Sequence, residues 1–490
     1  MKRREFLVQS AVAALGLSAC AREAPSGLLG GVAGSSAPKR VAVIGAGLAG
    51  LSAALELRRA GYDVTVLEAR ARPGGRVHTL HEPFSDGLYA EEGATFVPDN
   101  HELTLKYVRL FGLALDPVPP QTGGRLYYVR GRRLLVTHGA QVPWPFDLTP
   151  EEDALGLGGM LKKYVFDPLP ELGDVTAPGW PSDPRLDGYD QMTGAEFLQS
   201  RGASPGAIQL LRVGYLDLLG DGVESYSALT MLRDVALQKD EKQAYMIRGG
   251  SDRFPRAFAS ALGAAIRYEA PVVRIEPGET SVHLIIRRAG EYERLTADHV
   301  VCAVPFSVLR RVEITPPFSP RKRAAIAELP YTSIARVYAQ VSQRFWEEER
   351  LLDSATTDLP IKHIFEPTVT QPGPRAILAC DTAGIQARRI TAMKASDRVS
   401  FALAEMERVY PALRRHFERG ASKCWDEDEW ARGGYVWFRP GQLRALGPSL
   451  ATPEGRVHFA GEHTSPWIGW MQGALQSGLR AAREIVEAPA

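Results

Sequence analysis

Residues 40–68 read RVAVIGAGLAGLSAALELRRAGYDVTVLE, and this segment predicts the architecture of the chain. Its first five residues form a short apolar run of the kind found in buried parallel strands. The glycine cluster GAGLAG follows at 45–50, then a helical pattern over 51–59 and a second strand over 63–67 that ends at Glu68. A strand, a glycine turn, a helix, a strand and an acid within about 30 residues are typical of a dinucleotide-binding unit.

Each glycine has a physical role in such a unit. Gly45 permits the tight turn, Gly47 lets the backbone approach a pyrophosphate, and Gly50 lets the helix pack close to the strand. The free N–H groups at the helix N-terminus favour phosphates. Glu68 can accept hydrogen bonds from ribose hydroxyls, which disfavours NADP and leaves NAD and FAD as candidates.

The composition is that of a large globular protein. A length of 490 residues predicts roughly three domain-sized units or two large interleaved ones. The 58 basic and 57 acidic side chains leave a formal charge of +1, which excludes a nucleic-acid surface carried by net charge. The histidines and cysteines show no metal-ligand spacing, so no metal is expected. No apolar run reaches the ~18–20 residues of a membrane-spanning helix.

The N-terminal segment predicts an export signal. Residues 2–7 read KRREFL and precede an apolar run over 11–19 and Cys20. This pattern is typical of a secretory signal, and the paired arginines resemble a twin-arginine signal; a cytosolic protein with a basic terminus is the alternative. LSAC, ending at Cys20, resembles a lipobox whose cysteine is lipidated, with ordinary cleavage nearby as the alternative. A tether over 21–38 would follow, and we expect a periplasmic or cell-envelope lipoprotein.

Further segments extend the glycine fingerprint. EARARPGGR at 68–76 places glycines beside arginines, which suits an anion. Near the end of the chain, VHFAGEHT at 457–464 precedes GWMQGA at 469–474. Together with the opening segment, these resemble the flavin-containing amine oxidase family, which includes monoamine, polyamine and L-amino acid oxidases. The resemblance runs from about residue 39 to the C-terminus, with a loosely matching middle.

The resemblance implies an α/β fold in which two domains are interleaved. A Rossmann-like FAD-binding domain of the GR2-type flavoproteins would comprise 39–100, 246–315 and 425–490. An α+β substrate-binding domain would comprise 101–245 and 316–424.

The resemblance also implies that both ends of the chain hold FAD. In the family, the segment near 272 meets the adenine end, the segment near 461 meets the phosphates, and the last helix begins near the isoalloxazine. The implied cofactor-binding residues are Gly45, Gly47, Ala49, Gly50, Glu68, Arg70, Gly75, Arg76, Gly93, Ala94, Thr95, Val272, Trp425, Gly461, Glu462 and Met471.

Two departures from the family pattern bear on the flavin. Arg336 stands where the family usually carries a lysine that holds a water against flavin N5. Arginine is bulkier and stays protonated, which implies altered oxygen chemistry or, alternatively, a salt-bridged strand arginine away from the ring. Tyr435 occupies the position where monoamine oxidases attach the flavin through cysteine. Tyrosine cannot form that thioether, so the FAD is expected to be non-covalent.

Other positions bear on the substrate. L-Amino acid oxidases grip the substrate carboxylate with an arginine, and Phe96 stands at that position here. Arg132 and Arg133 are the candidates to replace it. Trp470 and Val436 occupy the two positions that often form an aromatic cage around the substrate amine.

The resemblance therefore implies an FAD-dependent enzyme that oxidises an amine to an imine, which water hydrolyses to an aldehyde plus ammonia or a smaller amine. Hydride would pass to flavin N5, and reoxidation by O2 would give H2O2. Arg336 and Trp470 are the candidate catalytic residues, and Phe96, Tyr435, Val436 and Trp470 are the candidate substrate-binding residues. An L-amino acid oxidase, or an amine dehydrogenase with a non-oxygen acceptor, is the alternative. The oligomeric state stays open.

Overall fold

The computed structural model describes residues 39–120, 124–137, 140–213, 215–348 and 351–488. The predicted twin-arginine segment, Cys20 and the tether lie outside these residues. Among the residues described, no helix combines the length and the apolar character that crossing a bilayer requires.

Helices occur along the whole length of the described chain. In chain order, the α-helices are α1 Leu48–Arg59, α2 Glu102–Leu110, α3 Pro150–Leu161, α4 Asp187–Gln191, α5 Gly194–Ser200, α6 Pro205–Arg212, α7 Ala228–Gln238, α8 Arg253–Leu262, α9 Phe306–Leu309, α10 Pro320–Glu328, α11 Phe345–Glu348, α12 Gly384–Thr391, α13 Ala395–Val409, α14 Leu413–His416, α15 Gln442–Ala451 and α16 Met471–Val486. A π-helical turn covers Lys162–Phe166, and 3-10 turns cover Leu169–Leu172, Pro184–Leu186, Tyr215–Leu218, Gly263–Ala265 and Glu462–Thr464.

The strands near the two ends of the described chain are short, and the longest strands lie between them in the sequence. In chain order they are β1 Arg40–Ile44, β2 Asp63–Leu67, β3 Thr79–Leu80, β4 Ala90–Glu91, β5 Val97–Pro98, β6 Leu115–Pro117, β7 Arg125–Val129, β8 Arg132–Val136, β9 Ala244–Ile247, β10 Ile266–Arg267, β11 Val272–Pro277, β12 Val282–Arg288, β13 Glu291–Ala297, β14 His299–Cys302, β15 Glu313–Ile314, β16 Ile334–Val341, β17 Ala355–Thr357, β18 His363–Phe365, β19 Ala376–Ala383, β20 Phe417–Cys424 and β21 Val457–Phe459.

A parallel sheet in the order β10-β2-β1-β14-β21 is built from segments far apart in the sequence. Its strands are all mutually parallel, and its central strands β1 and β14 are almost completely buried. Burial on both faces explains why these strands are continuous apolar runs. The sheet has the Rossmann-like form that residues 40–68 predict.

The helices α1 and α16 pack side by side against this sheet and join the two ends of the described chain. A Cβ on Gly478 would lie only 2.1 Å from the carbonyl oxygen of Ala49. The two helix backbones therefore touch at this point, and only glycine fits there without a shift.

A second, mixed sheet in the order β20-β16-β19-β18-β17-β7-β8 forms the other large layer. Three smaller sheets complete the fold, with the strand orders β13-β12-β11-β15, β5-β9-β6 and β3-β4. The parallel sheet takes its strands from three separate parts of the sequence, and the chain builds the mixed sheet in the intervals. This interleaved α/β architecture confirms the predicted fold class, while the predicted domain bounds stay a prediction.

Candidate active site

A cavity of about 680 Å³ lies between the two large sheets and reaches residues of both. At one end it opens beyond the carboxyl ends of β1 and β2, where Gly45 and Glu68 line it. At the other end it is lined by Arg336 of β16 and Asp381 of β19. Ligands of open parallel sheets bind beyond the carboxyl ends of the strands, so the cavity is placed as a nucleotide site requires.

The structure brings the predicted cofactor residues together with one exception. Those that line the cavity are Gly45, Gly47, Ala49, Glu68, Arg70, Gly75, Arg76, Gly93, Ala94, Thr95, Val272, Trp425, Gly461, Glu462 and Met471. Gly50 does not line it. A Cβ on Gly50 would lie 1.9 Å from the carbonyl oxygen of Gly45, so this glycine serves the packing of helix against turn.

The turns at Gly47 and at Gly74–Gly75 expose main-chain atoms to the cavity. Gly47 is the N-cap of α1 and forms an isolated parallel bridge with Gly74. A Cβ on Gly47 would meet no atom within 4 Å, and one on Gly75 would meet only the Gly47 Cα, at 3.7 Å. Side chains at these positions would occupy the open space of the cavity. The cradle and the N–H groups at the start of α1 fit a dinucleotide pyrophosphate.

Glu68 fastens both turns to the end of β2. Its Oε2 accepts a hydrogen bond from the Ala46 N–H at 2.7 Å, and its Oε1 accepts one from the Arg70 N–H at 2.8 Å. Burial raises the pKa of this carboxyl above its usual value, although these hydrogen bonds oppose the shift. Each oxygen keeps a further acceptor position, which fits the predicted contact with ribose hydroxyls.

Glu462 joins the N-terminal turn to the C-terminal segment. Its Oε1 accepts a hydrogen bond from Arg76 Nη1 at 2.8 Å, and its Oε2 accepts one from the Gly469 N–H at 3.0 Å. Arg76 also donates to the carbonyl oxygen of Gly434. The residue before Trp470 is thereby connected to the anion-binding turn predicted at 68–76.

Arg336 lines the cavity as predicted, but other groups of the protein already engage its guanidinium. Nε and Nη2 bind the Asp381 carboxylate, with Nη2 2.7 Å from Oδ2. Nη1 lies 2.7 Å from the carbonyl oxygen of Glu91, 3.1 Å from that of Gly93 and 3.2 Å from Thr95 Oγ1. Burial is the largest influence and acts to lower the pKa of Arg336, but the charge and hydrogen bond of Asp381, together with Tyr338 and Glu91, outweigh it, so the pKa is raised. The structure thus shows a salt-bridged arginine that also lines the cavity.

Three of the four predicted substrate-binding residues line the same cavity, and one does not. Phe96, Tyr435 and Trp470 line it. Val436 is completely buried and forms an isolated antiparallel bridge with Tyr331. Successive side chains of an extended segment point to opposite sides, so with Tyr435 at the cavity Val436 faces the core.

A group of polar and aromatic residues that also lines the cavity has no signal in the sequence. They come from α7, β18, β19 and the segments near them: Asp234, Asp353, His363, Phe365, Glu366 and Asp381. Burial raises the pKa of Asp353 and Glu366, and Glu366 pairs with Arg344 at 2.8 Å. No spacing pattern in the sequence identifies these acids, because only the tertiary fold brings them to one wall.

Metal clusters and cavity cysteines are the two features that would indicate a metal centre or a covalent flavin link among the residues that the structure describes. Within the described ranges, no group of three or more His, Cys, Asp or Glu side chains is placed to hold a metal. The described cysteines, Cys302, Cys380 and Cys424, are buried and do not line the cavity. Arg132 and Arg133 lie exposed on β8 and do not line it either.

Comparison with known proteins agrees with this geometry. Residues 48–486 match the family model of flavin containing amine oxidoreductases. The chain belongs to this family. This flavin amine oxidase is 34% identical over 471 residues to "Putative L-amino-acid oxidase YobN" of Bacillus subtilis (strain 168), with 94% of this chain and 97% of that protein covered. It is 29% identical over 469 residues to an L-amino-acid oxidase of Gloydius halys, with 93% and 90% covered.

Solved structures of amine oxidases share the fold of this flavin amine oxidase. Cyclohexylamine oxidase from Brevibacterium oxydans IH-35A superposes with a TM-score of 0.79 at 26% identity, covering 92% of this chain and 99% of that one. Putrescine oxidase bound to putrescine has a TM-score of 0.79 at 24% identity, covering 92% and 100%. The predicted enzyme class, an FAD-dependent amine oxidoreductase, is confirmed.

Proposed function

We propose that this oxidase acts on a small amine without an α-carboxylate. The observation that carries the proposal is the state of the cavity arginines. A substrate carboxylate needs a guanidinium with free donors, preferably one that binds both oxygens. Among the described residues, the three half-buried arginines of the cavity wall each have a carboxylate partner already: Arg70 with Asp428, Arg76 with Glu462 and Arg336 with Asp381.

The remaining lining arginines are Arg287 and Arg311, and both are exposed. A solvated guanidinium adds little binding energy for an anion. Phe96 supplies an apolar surface at the position where the family resemblance implies an arginine in L-amino acid oxidases. Asp234 and Asp353 line the same cavity, and carboxylates there favour an ammonium group over a second carboxylate.

The chemistry follows from orientation and exclusion of water. FAD, when bound, would supply the acceptor for one hydride, which carries two electrons and one proton. Trp470 and Tyr435 present aromatic walls that orient the amine, and Phe96 helps to keep that end of the cavity apolar. Hydride loss from the carbon beside a neutral amine gives a protonated imine, and water hydrolyses it to an aldehyde plus ammonium or a smaller protonated amine. O2 is the expected final acceptor and is reduced to H2O2.

An L-amino acid oxidase is the second candidate, favoured by the 34% and 29% identities to proteins with that name. Phe96→Arg separates the two. We expect wild-type protein loaded with FAD to be reduced by benzylamine or a diamine and not by L-phenylalanine or L-leucine. The variant should gain reduction by amino acids. Wild-type reduction by amino acids alone, without reduction by any amine, would overturn the amine proposal.

We expect the FAD to be non-covalent and its reoxidation by O2 to depend on Arg336. No cysteine among the described residues lines the cavity, which supports release of intact FAD on denaturation. The donors of Arg336 are occupied, so this side chain offers little to a water beside the flavin. We expect Arg336→Lys to change the rate of reoxidation by O2. If wild-type protein is reoxidised far faster by a quinone or dye than by O2, the dehydrogenase alternative is favoured.

The proposal includes export by the twin-arginine route, with lipidation at Cys20 as the anchor. The support is the sequence of 2–20 alone. Replacement of both arginines at 3 and 4 by lysine should trap the precursor in the cytoplasm. Cys20→Ser should release the exported enzyme from the membrane fraction. Membrane retention of the serine variant would contradict lipid anchoring.

A further inference from the structure

We propose that His101 is a positioning residue that holds the Trp470 indole at the substrate end of the cavity. This inference rests on the proposed function, in which Trp470 orients the amine. His101 itself does not line the cavity, whereas Trp470 does. Any effect of His101 on the reaction therefore passes through the indole.

His101 is wedged between two tryptophans of one short segment. Its ring centroid lies 4.9 Å from that of Trp467 at an interplanar angle of 81°, and 4.9 Å from that of Trp470 at 83°. The His101 residue is only 1% exposed. Near-perpendicular rings at this separation attract each other through their quadrupoles. Rotation of the Trp470 indole away from the cavity wall would break this contact.

The imidazole of His101 has no other role among the described residues. Neither Nδ1 nor Nε2 has a hydrogen-bond partner there. Burial lowers the pKa of His101 to about 4, so the ring is neutral near pH 7. A buried N–H without a partner is costly, and an aromatic face can accept it weakly. The two indoles are in ring contact with the imidazole, so its position depends on theirs.

His101 directly precedes α2 and Trp470 directly precedes α16, and a second contact joins the first turns of these two helices. Gln472 Oε1, in the first turn of α16, accepts hydrogen bonds from the Thr104 N–H at 3.0 Å and from Thr104 Oγ1 at 3.1 Å. The beginning of α2 is thus fastened to the beginning of α16, immediately beyond Trp470. This contact keeps His101 in register with the indole that it supports.

A double-mutant cycle with His101→Ala and Trp470→Ala tests the proposal. The first readout is the visible circular dichroism of bound FAD, which reports the asymmetry around the ring and needs no substrate. The second is the anaerobic rate of flavin reduction by benzylamine. We expect His101→Ala to change the dichroism and to slow reduction about tenfold. Both effects should vanish in the Trp470→Ala background.

His299→Ala is the matched control, because His299 is also buried and also does not line the cavity, but its ring contacts His458 instead of Trp467 and Trp470. We expect it to leave both readouts unchanged. The proposal is overturned if His101→Ala changes the dichroism and the reduction rate equally in the wild-type and Trp470→Ala backgrounds. It is also overturned if His101→Ala changes them no more than His299→Ala does. If His101→Ala does not fold, His101→Asn enters the same cycle. If no amine reduces the flavin, the proposed function fails, while the dichroism cycle still decides the role of His101.

Discussion

Arg336 and Asp381 face each other as register partners on β16 and β19, and the guanidinium binds both oxygens of the carboxylate. The two side chains are only 11% and 21% exposed. The same guanidinium donates to the carbonyl oxygens of Glu91 and Gly93. One side chain therefore fastens the cavity loop at 91–95 to the mixed sheet.

Arg336→Met removes this clamp and leaves the Asp381 carboxylate without its partner in a poorly solvated place. We expect the free energy of unfolding to fall by about 3–5 kcal/mol, measured by urea denaturation at a fixed FAD concentration. Arg375→Met is the control. Arg375 pairs with Asp86 and Glu418 but is 36% exposed, so its loss should cost much less stability. Equal losses in the two variants would show that the clamp does not stabilise the fold.

Glu462→Gln tests the connection between the two ends of the chain. The neutral amide loses the charge that pairs with Arg76, and its single oxygen cannot serve both Arg76 and Gly469. We expect FAD to bind at least about tenfold more weakly, a change of roughly 1.4 kcal/mol, measured by fluorescence titration of apoprotein. Glu487→Gln makes the same substitution at an exposed position just after α16 and should leave the affinity unchanged. An unaltered FAD affinity in Glu462→Gln would contradict an FAD site that both ends of the chain form together.

Gly478→Ala tests the contact between α1 and α16. The new Cβ would lie 2.1 Å from the Ala49 carbonyl oxygen and 2.2 Å from Ser52 Oγ, so the helices must separate. We expect a loss of about 1–3 kcal/mol in the free energy of unfolding. Gly158→Ala in α3 is the opposite case, because a Cβ at this exposed helical position would meet no atom within 4 Å. That variant should be neutral or more stable, since alanine is the better helix former.

Lys322 makes the stability depend on pH. Its side chain is buried over the Phe459 ring, and Nζ donates to the Leu450 carbonyl oxygen at 3.0 Å. Burial lowers the pKa of Lys322 to about 7 in the folded protein. Between about pH 7 and the ordinary lysine pKa of about 10.4, the unfolded chain binds the proton more tightly than the folded one, so stability rises with pH.

Lys322→Met should remove that rise. We expect the stability of wild type relative to the variant to increase by roughly 1 kcal/mol per pH unit between about pH 7 and pH 9. Denaturation curves at several pH values give the two slopes. Parallel slopes would mean that Lys322 stays protonated in the folded protein.

The cofactor-binding end of the site can be predicted from the sequence, because phosphate binding there depends on exposed backbone. Gly47 and Gly75 must be small where a phosphate approaches, and this requirement leaves a spaced pattern. The acids at the other end, Asp353 and Glu366, follow no spacing, because the packing of the mixed sheet alone places them. Val436 shows the limit of alignment in an extended segment, where a shift of one residue exchanges cavity and core. His101 has no sequence signal, since its role depends on Trp467 and Trp470, more than 350 residues away.

Anaerobic addition of a small amine to the FAD-loaded protein is the most direct measurement. The protein should purify yellow, the yellow absorbance should bleach with the amine, and air should restore it with release of H2O2 and an aldehyde. A protein that cannot take up FAD, or bound FAD that no amine bleaches, would contradict an amine oxidase whose two ends hold one flavin.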